Sequence, residues 1–239
     1  MAKMMKNYKE KMVEDDFLVQ YYKGDPNDIE GYEDDYHSYT HKNLLNNMSY
    51  YLARADISKL LYFKDVTDER VLEFGCGLGQ NIALLENSWG YDISKFALAK
   101  AKENGVKVIA NLKECKNFDI VFSRHVLEHV VEPMRELKKM GECLCEGGKL
   151  ILVLPVEHQR KVALKLSDNQ HLYCWNFQTI NNLLVKSGFR PVANKFTRGT
   201  GYNKLLFLHR ISTPLYGLAT RLASYYAHSR EIVVEAIKE

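Results

Sequence analysis

No two of the five cysteines (Cys76, Cys115, Cys143, Cys145, Cys174) form a C-x-x-C pair, and Cys143-Leu144-Cys145 has no second pair to complete a zinc site. They read as reduced thiols. No stretch approaches the ~20 consecutive apolar residues that a membrane span requires, and the start, MAKMMKNYKEK, is charged without the apolar segment of a secretion signal. A soluble, cytoplasmic protein is expected. A dominant charge is also lacking: 33 basic against 30 acidic residues leave a net +3, too balanced to imply nucleic acid as a partner. Neither internal repeats nor low-complexity tracts occur.

What the chain does have is length and apolar content for one sizeable core. Its 239 residues, 46% hydrophobic, leave room for a substrate-binding extension. Everything is organised around VLEFGCGLGQN at 71–81. An apolar run ends near Glu73, a glycine-dense turn follows, and Asn81, Ile82, Leu84 and Leu85 predict a helix opening straight after it. Glycines at 75, 77 and 79 allow a sharp turn and a close approach to a ligand, although tight turns also use glycine for structural reasons alone. Asp92 lies past a second short strand at 88–91, where a carboxylate grips ribose hydroxyls in doubly wound α/β folds.

The dinucleotide fingerprint G-x-G-x-x-G would need glycine at position 80, where Gln80 stands, so the match to NAD or FAD fails. Instead E-F-G-C-G-L-G followed by G-Y-D-I-S closely resembles the first two motifs of class I S-adenosylmethionine-dependent methyltransferases. That resemblance implies S-adenosyl-L-methionine as cofactor, held around Glu73, Gly75, Cys76, Gly77, Asp92 and Ile93. It adds Asn111 and Leu112 at the tip of a third strand, where a polar residue commonly meets the adenine, and Ser123 and Arg124 at the tip of a fourth. Cys76 reads as a small packed residue, and Asn111 fits a turn equally well.

Along the chain, residues 1–42 form a polar, tyrosine-rich and acidic arm, either solvated or a lid, and 43–239 the catalytic domain. Helical spacing covers 44–63. Ser94 caps a helix over 95–102, stopped by Asn104-Gly105 before a strand at 106–110. Strands follow at 118–123 and 149–155, separated by a short helix at 125–130 and, after Pro133, a longer one at 134–144. Residues 157–170 make a second candidate lid. A helix at 176–187, a strand at 189–196, a helical insertion within 200–229 and a last strand at 231–237 complete the pattern. The expected fold is α/β, a doubly wound, mostly parallel seven-stranded sheet that resembles the Rossmann-like methyltransferase sheet, with the last strand antiparallel.

Helical spacing would put His125, Glu128 and His129 on one face at the tip of the fourth strand, where an acceptor would sit. S-R-H-V-L-E-H-V-V-E-P is similar to the E-x-x-E-H segment of ubiquinone-pathway O-methyltransferases, the closest motif pattern, and of small-RNA 3′-terminal 2′-O-methyltransferases. In those families the carboxylates and histidine hold a divalent ion; here His125 replaces the first glutamate. H-L-Y-C-W at 171–175 matches the H-x-x-x-W pattern of the small-RNA enzymes, whose histidine joins the metal site. The resemblance thus makes Glu128, His129 and His171 candidate ligands, with a nitrogen-rich set that favours zinc, manganese or iron over magnesium. His129, His125 and His171 are alternatively candidate catalytic bases, or Glu128 and His129 merely pack the short helix. H-V-L-E-H also fits the H-x-x-E-H protease signature, which the preceding cofactor half argues against.

The tip of the fourth strand reads Ser-Arg-His and lacks the D/N-P-P-Y/F of enzymes that methylate nucleobase or glutamine amino groups. Methyl transfer to an oxygen of a small metabolite, a sugar or glycan precursor, is the expectation. An RNA ribose 2′-O-methyltransferase, a non-catalytic cofactor-binding partner subunit and a nucleotide-dependent oxidoreductase are the alternatives. The insertion carries enough apolar residues for a homodimer surface or a pocket wall.

Overall fold

A computed structural model describes residues 42–157, 171–198, 203–227 and 229–239. Residues 1–41 of the arm at 1–42, all but Glu157 of the candidate lid at 157–170, and residues 200–202 and 228 of the insertion lie outside them. Two helices, α1 (Lys42–Asn46) and α2 (Met48–Tyr62), lead into β1 (Val71–Phe74). Periodicity predicts one helix here, but Asn47 divides it by accepting a hydrogen bond from the Tyr50 N–H at 3.1 Å, which starts α2 afresh. Then come β2 (Ser88–Tyr91), α3 (Lys95–Glu103), β3 (Lys107–Ile109), β4 (Phe118–Arg124), α4 (Pro133–Cys143) and β5 (Leu144–Val156). The chain closes with α5 (Phe177–Lys186), β6 (Phe189–Arg198), α6 (Leu206–His209), α7 (Thr213–Tyr226) and β7 (Arg230–Lys238).

The sheet order is β3-β2-β1-β4-β5-β7-β6, with β7 antiparallel to both neighbours. This is the seven-stranded arrangement expected, with the helical insertion before the last strand. Side chains alternate faithfully across it. Leu72, Leu150, Leu152 and Val234 face α4 and α5 through Leu137, Met140, Ile180 and Leu184. Val71, Ile151, Val153 and Val233 face the other way, onto Tyr62, Phe63 and α3. Each such fully buried side chain stabilises the fold by roughly 1.5–3 kcal/mol, so both faces are committed to core and only the strand ends are available for chemistry.

Two predicted helices are absent. Between β1 and β2 there are only residues 75–87, near the minimum for a parallel crossover. They form successive turns, with Gly79 N–H donating to Cys76 O, Ile82 N–H to Gly79 O and Leu85 N–H to Ile82 O at 2.9–3.2 Å. The apolar period of Ile82 and Leu85 reports contact with the core, not a helix. The helix expected at 125–130 is a single turn. His125 adopts a left-handed conformation (φ 56°) while its N–H still pairs with Val153 of β5. The Glu128 carbonyl then accepts from Leu172 and Tyr173 N–H at 2.7 and 3.3 Å, outside any helical pattern.

Candidate functional site

The parallel strands β3, β2, β1 and β4 end side by side, so the residues that follow them converge on one edge. Glu73 stands at the end of β1 with none of its surface exposed. Its Oε1 accepts from Asn81 Nδ2 at 2.5 Å, and Asn81 in turn accepts from Ser58 Oγ of α2 at 2.9 Å. Among the described residues its Oε2 has no partner. Burial raises the Glu73 carboxyl to about 8, against the opposing hydrogen bond from Asn81.

Past Glu73 the chain turns through Gly75 and Gly77, both at positive φ. A Cβ at Gly75 would be driven into Val126, whereas one at Gly77 would meet nothing within 4 Å. Gly75 is therefore fixed by packing, and Gly77 faces open space. Gly75 and Cys76 N–H donate to Tyr91 O at 2.8 and 3.0 Å. Gly77 N–H donates to Asp92 Oδ2 at 2.8 Å, and Ser94 N–H to Asp92 Oδ1 at 2.9 Å. Cys76 is buried beneath Gly90, and burial pushes its thiol up, which suits packing rather than nucleophilic attack.

Ile93 is exposed just beyond Asp92. Asn111 and Leu112 follow β3; Asn111 Oδ1 accepts from Lys113 N–H at 3.1 Å, so its side chain is at work in the turn. Ser123 Oγ donates to Phe74 O at 2.9 Å and stitches β4 to β1. All ten expected cofactor residues thus lie along one edge. A buried carboxylate with an unpartnered oxygen, an open glycine and a second carboxylate one strand away fit a ligand bearing cationic and hydroxyl groups.

The second cluster is built by the turn after β4. His129 N–H donates to Val126 O at 3.0 Å. The hydrogen bonds from Leu172 and Tyr173 to the Glu128 carbonyl then draw His171 to His129, whose rings meet edge to face with centroids 4.8 Å apart. Glu128 is completely buried, and neither of its carboxylate oxygens has a hydrogen-bond partner among the described residues. Two imidazole nitrogens lie near it, His125 Nδ1 at 3.9 Å and His129 Nε2 at 4.0 Å. Burial raises this carboxyl to about 8. Glu157 holds His171 Nδ1 by a short hydrogen bond and accepts from Cys174 Sγ at 3.3 Å. Ligand atoms of Glu128, His129 and His171 lie within 4.8 Å of one another. One oxygen and two nitrogens suit a divalent ion in chemical type, but a spacing up to 4.8 Å is wider than bonds of about 2 Å impose, so the three side chains would have to draw together.

His125, expected on the same face as Glu128 and His129, belongs instead mainly to a buried network that the sequence reading missed. Arg124 Nη2 meets Glu231 Oε1 at 2.7 Å, His125 Nε2 meets the same oxygen at 3.1 Å, and Tyr62 donates to Glu231 Oε2 at 3.2 Å. Burial opposes ionisation of Glu231, but the Arg124 charge and the hydrogen bonds from His125 and Arg124 hold its carboxyl well below the usual range. Loss of hydration keeps His125 below the ordinary histidine value, the contact with Glu231 opposing this; the 38% of its side chain still exposed limits the effect. The signal available in advance was Glu231 itself, an acid opening the otherwise apolar strand EIVVEAI.

Residues 44–194 match the family described as Methyltransferase domain. Among curated proteins, the tRNA U34 carboxymethyltransferases of Wolinella succinogenes and Idiomarina loihiensis are 30% and 27% identical over 37% and 38% of this chain. In each case the match covers 34% of the relative, so the chain spans about a third of the length of the curated relatives it matches. Among solved structures, 1,6-didemethyltoxoflavin-N1-methyltransferase from Burkholderia thailandensis, bound to 1,6-didemethyltoxoflavin and S-adenosylhomocysteine, superposes with a TM-score of 0.54. It is 18% identical and covers 85% of each chain, a likeness of fold. Among the described residues no helix is long and apolar enough to cross a membrane.

Proposed function

Because the chain belongs to the methyltransferase-domain family, we propose that it transfers the methyl group of S-adenosylmethionine to an oxygen of a small hydroxylated metabolite, a sugar or glycan precursor. The observation that carries this is the placement of His129 beside His171 and the fully buried Glu128, just past β4, in the turn whose Val126 packs against Gly75 of the glycine loop. In this reading residues 43–239 are the catalytic domain.

The cofactor supplies an already activated carbon, so the protein's task is alignment, exclusion of water and removal of one proton. Asp92 accepts from the ribose hydroxyls while its carboxylate stays oriented by Gly77 and Ser94. The free oxygen of Glu73 and the open side of Gly77 receive the amino-acid end. His129 takes the acceptor's hydroxyl proton, a task suited to an imidazole near neutral pH. Glu157 fixes the tautomer of His171 by binding its Nδ1. If Glu128, His129 and His171 hold a divalent ion instead, it would lower the acidity barrier of the same hydroxyl.

Methyl transfer from labelled S-adenosylmethionine to a panel of sugars, nucleotide sugars and phenols tests the proposal; labelling confined to RNA or protein overturns it. A second reading, transfer to a tRNA nucleoside, is favoured by the names of the curated relatives. The near-neutral charge balance counts against it, and bulk tRNA in the same assay decides.

A further inference from the structure

Helix α7 carries its apolar face outward. Tyr216, Thr220 and Ser224 on its inner side are buried, and a Cβ at Gly217 would come within 3.2 Å of Ile57 Cδ1 on α2. Leu215, Leu218, Leu222 and Tyr226, at i, i+3, i+7 and i+11, form a single stripe on the outer side. Tyr226 is 78% exposed, and Ile211 in the preceding turn extends the stripe at 71%. The five side chains of this stripe offer on the order of 500 Å² of apolar surface, as much as the largest patch on a typical monomer. Phe207 on α6 and Leu60 on α2, the helices packed against α7, are about half exposed as well.

The charge around the stripe is of one sign. Residues 169–230 hold eight lysines and arginines and no acid, which leaves 25 basic and 30 acidic residues in the rest of the chain. Two of the eight meet acids, Arg190 with Glu239 at 3.5 Å and Lys195 with Glu235 at 3.2 Å. Lys204 and Arg210 precede the stripe, Arg221 lies along its edge and Arg230 follows it. All four are exposed, and none is ion-paired among the described residues. Across α2, α6, β6 and α7 the sole acid is Asp56, and His209 engages it at 2.7 Å.

We propose that this face lies on an anionic lipid surface, the stripe entering the headgroup layer and the four cations meeting lipid phosphates. Interfacial helices join such a stripe to basic residues, and exposed tyrosine suits the boundary between hydrocarbon and water. Charge selects this occupant. A second copy packed about a two-fold axis would set cation against cation with no free acid between them. In residues 1–41 charge and apolar area are separate. The stretch 25–35 has six acids, but Ile29 and Tyr32 are its only large apolar residues, whereas the more apolar 1–24 sets five lysines against four acids. A nucleic acid would use the arginines and leave the leucines in water.

Flotation of the full chain with phosphatidylcholine vesicles, with and without phosphatidylglycerol, tests this at low and high salt. The wild type should bind the anionic vesicles at least about 10-fold more tightly, and salt should weaken that binding. Arg210→Gln/Arg221→Gln should weaken it by about 10–30-fold and Leu218→Ser/Leu222→Ser by about 10–100-fold, with unchanged circular dichroism. Val185→Ser, on the exposed side of α5, should bind as the wild type does. A wild type that ignores anionic vesicles, or binds both compositions alike, overturns the proposal, and so does a leucine pair that binds normally. Sedimentation velocity then separates the rivals. A dimer that the leucine pair dissolves assigns the face to a second copy, and a monomer that also excludes a hydrophobic dye assigns it to residues 1–41. RNA binding that only the arginine pair loses assigns it to nucleic acid.

Discussion

Gly77 donates its backbone N–H to Asp92 at 2.8 Å, which ties the turn after β1 to the turn after β2. A carboxylate that orients the loop as well as a ligand should be costly to remove. Asp92→Ala is expected to weaken S-adenosylmethionine and S-adenosylhomocysteine binding by about 10–100-fold, the loss of one to two charge-assisted hydrogen bonds. Asp92→Asn should retain part of the affinity. Calorimetric titration reads both, and equal affinity in Asp92→Ala and wild type would remove Asp92 from the site.

The two loop glycines should separate stability from binding. Gly75→Ala forces a methyl into Val126 at a positive φ and should cost about 2–4 kcal/mol in urea unfolding. Gly77→Ala meets open space and should cost only the ~1–2 kcal/mol of left-handed backbone strain, yet abolish cofactor binding. A Gly77→Ala variant that binds normally would show that the ligand approaches elsewhere.

Stability should fall as pH rises from about 5 to about 8. The Glu73 and Glu128 carboxyls, raised to about 8 by burial, keep their protons in the folded chain. In the unfolded chain they lose them near ~4.3. The folded state therefore binds more protons across this window, and raising the pH favours unfolding until the folded groups also ionise. Glu73→Gln should reduce that slope substantially, the remainder coming from Glu128, while His125, held below its ordinary value by burial, contributes a smaller opposing slope near pH ~6. Urea denaturation at a series of pH values measures it; a pH-independent wild type contradicts the burial argument.

Arg124→Met should cost about 3–5 kcal/mol, because it strands Glu231 as a buried charge. Adding Glu231→Leu to it should restore much of the loss, since two apolar residues leave no unpaired charge. A double variant no more stable than the single one would show that Tyr62 and His125 alone carry Glu231.

His129→Ala should lower turnover by about 10²–10⁴-fold while leaving cofactor affinity within a few fold, as expected for a general base. Turnover should survive chelator treatment and dialysis. Loss with chelator, and recovery with manganese or zinc but not in Glu128→Ala, would convert the cluster from a base with its neighbours into a metal site.

The glycine loop, Asp92 and the run of parallel strands were legible because glycine density, a carboxylate after a short strand and apolar runs are local signals. Glu128, His129 and His171 were named together on the sequence, and they do meet, but not for the reason of helical spacing. They meet because the Glu128 carbonyl binds the backbone of Leu172 and Tyr173, a long-range bond with no local trace. Glu231 was missed because its partners, Arg124, His125 and Tyr62, come from other elements of the fold, and only the sheet order brings β7 beside β5. Ile82 and Leu85 misled in the opposite sense: their periodicity is real, and the connection is too short to convert it into a helix.

That short connection has an electrostatic consequence. A helix beginning at the loop would place roughly half a positive elementary charge at its mouth, a field that favours phosphates. Here the residues after the loop form turns, the buried Glu73 keeps its proton near neutral pH, and Asp92 is the carboxylate that the loop itself orients. The mouth therefore lacks the positive pole that a pyrophosphate uses and presents the Asp92 carboxylate, an arrangement better suited to a sulfonium. Selection between the two kinds of adenosine-bearing ligand is thus written into the length of one connection as much as into any side chain.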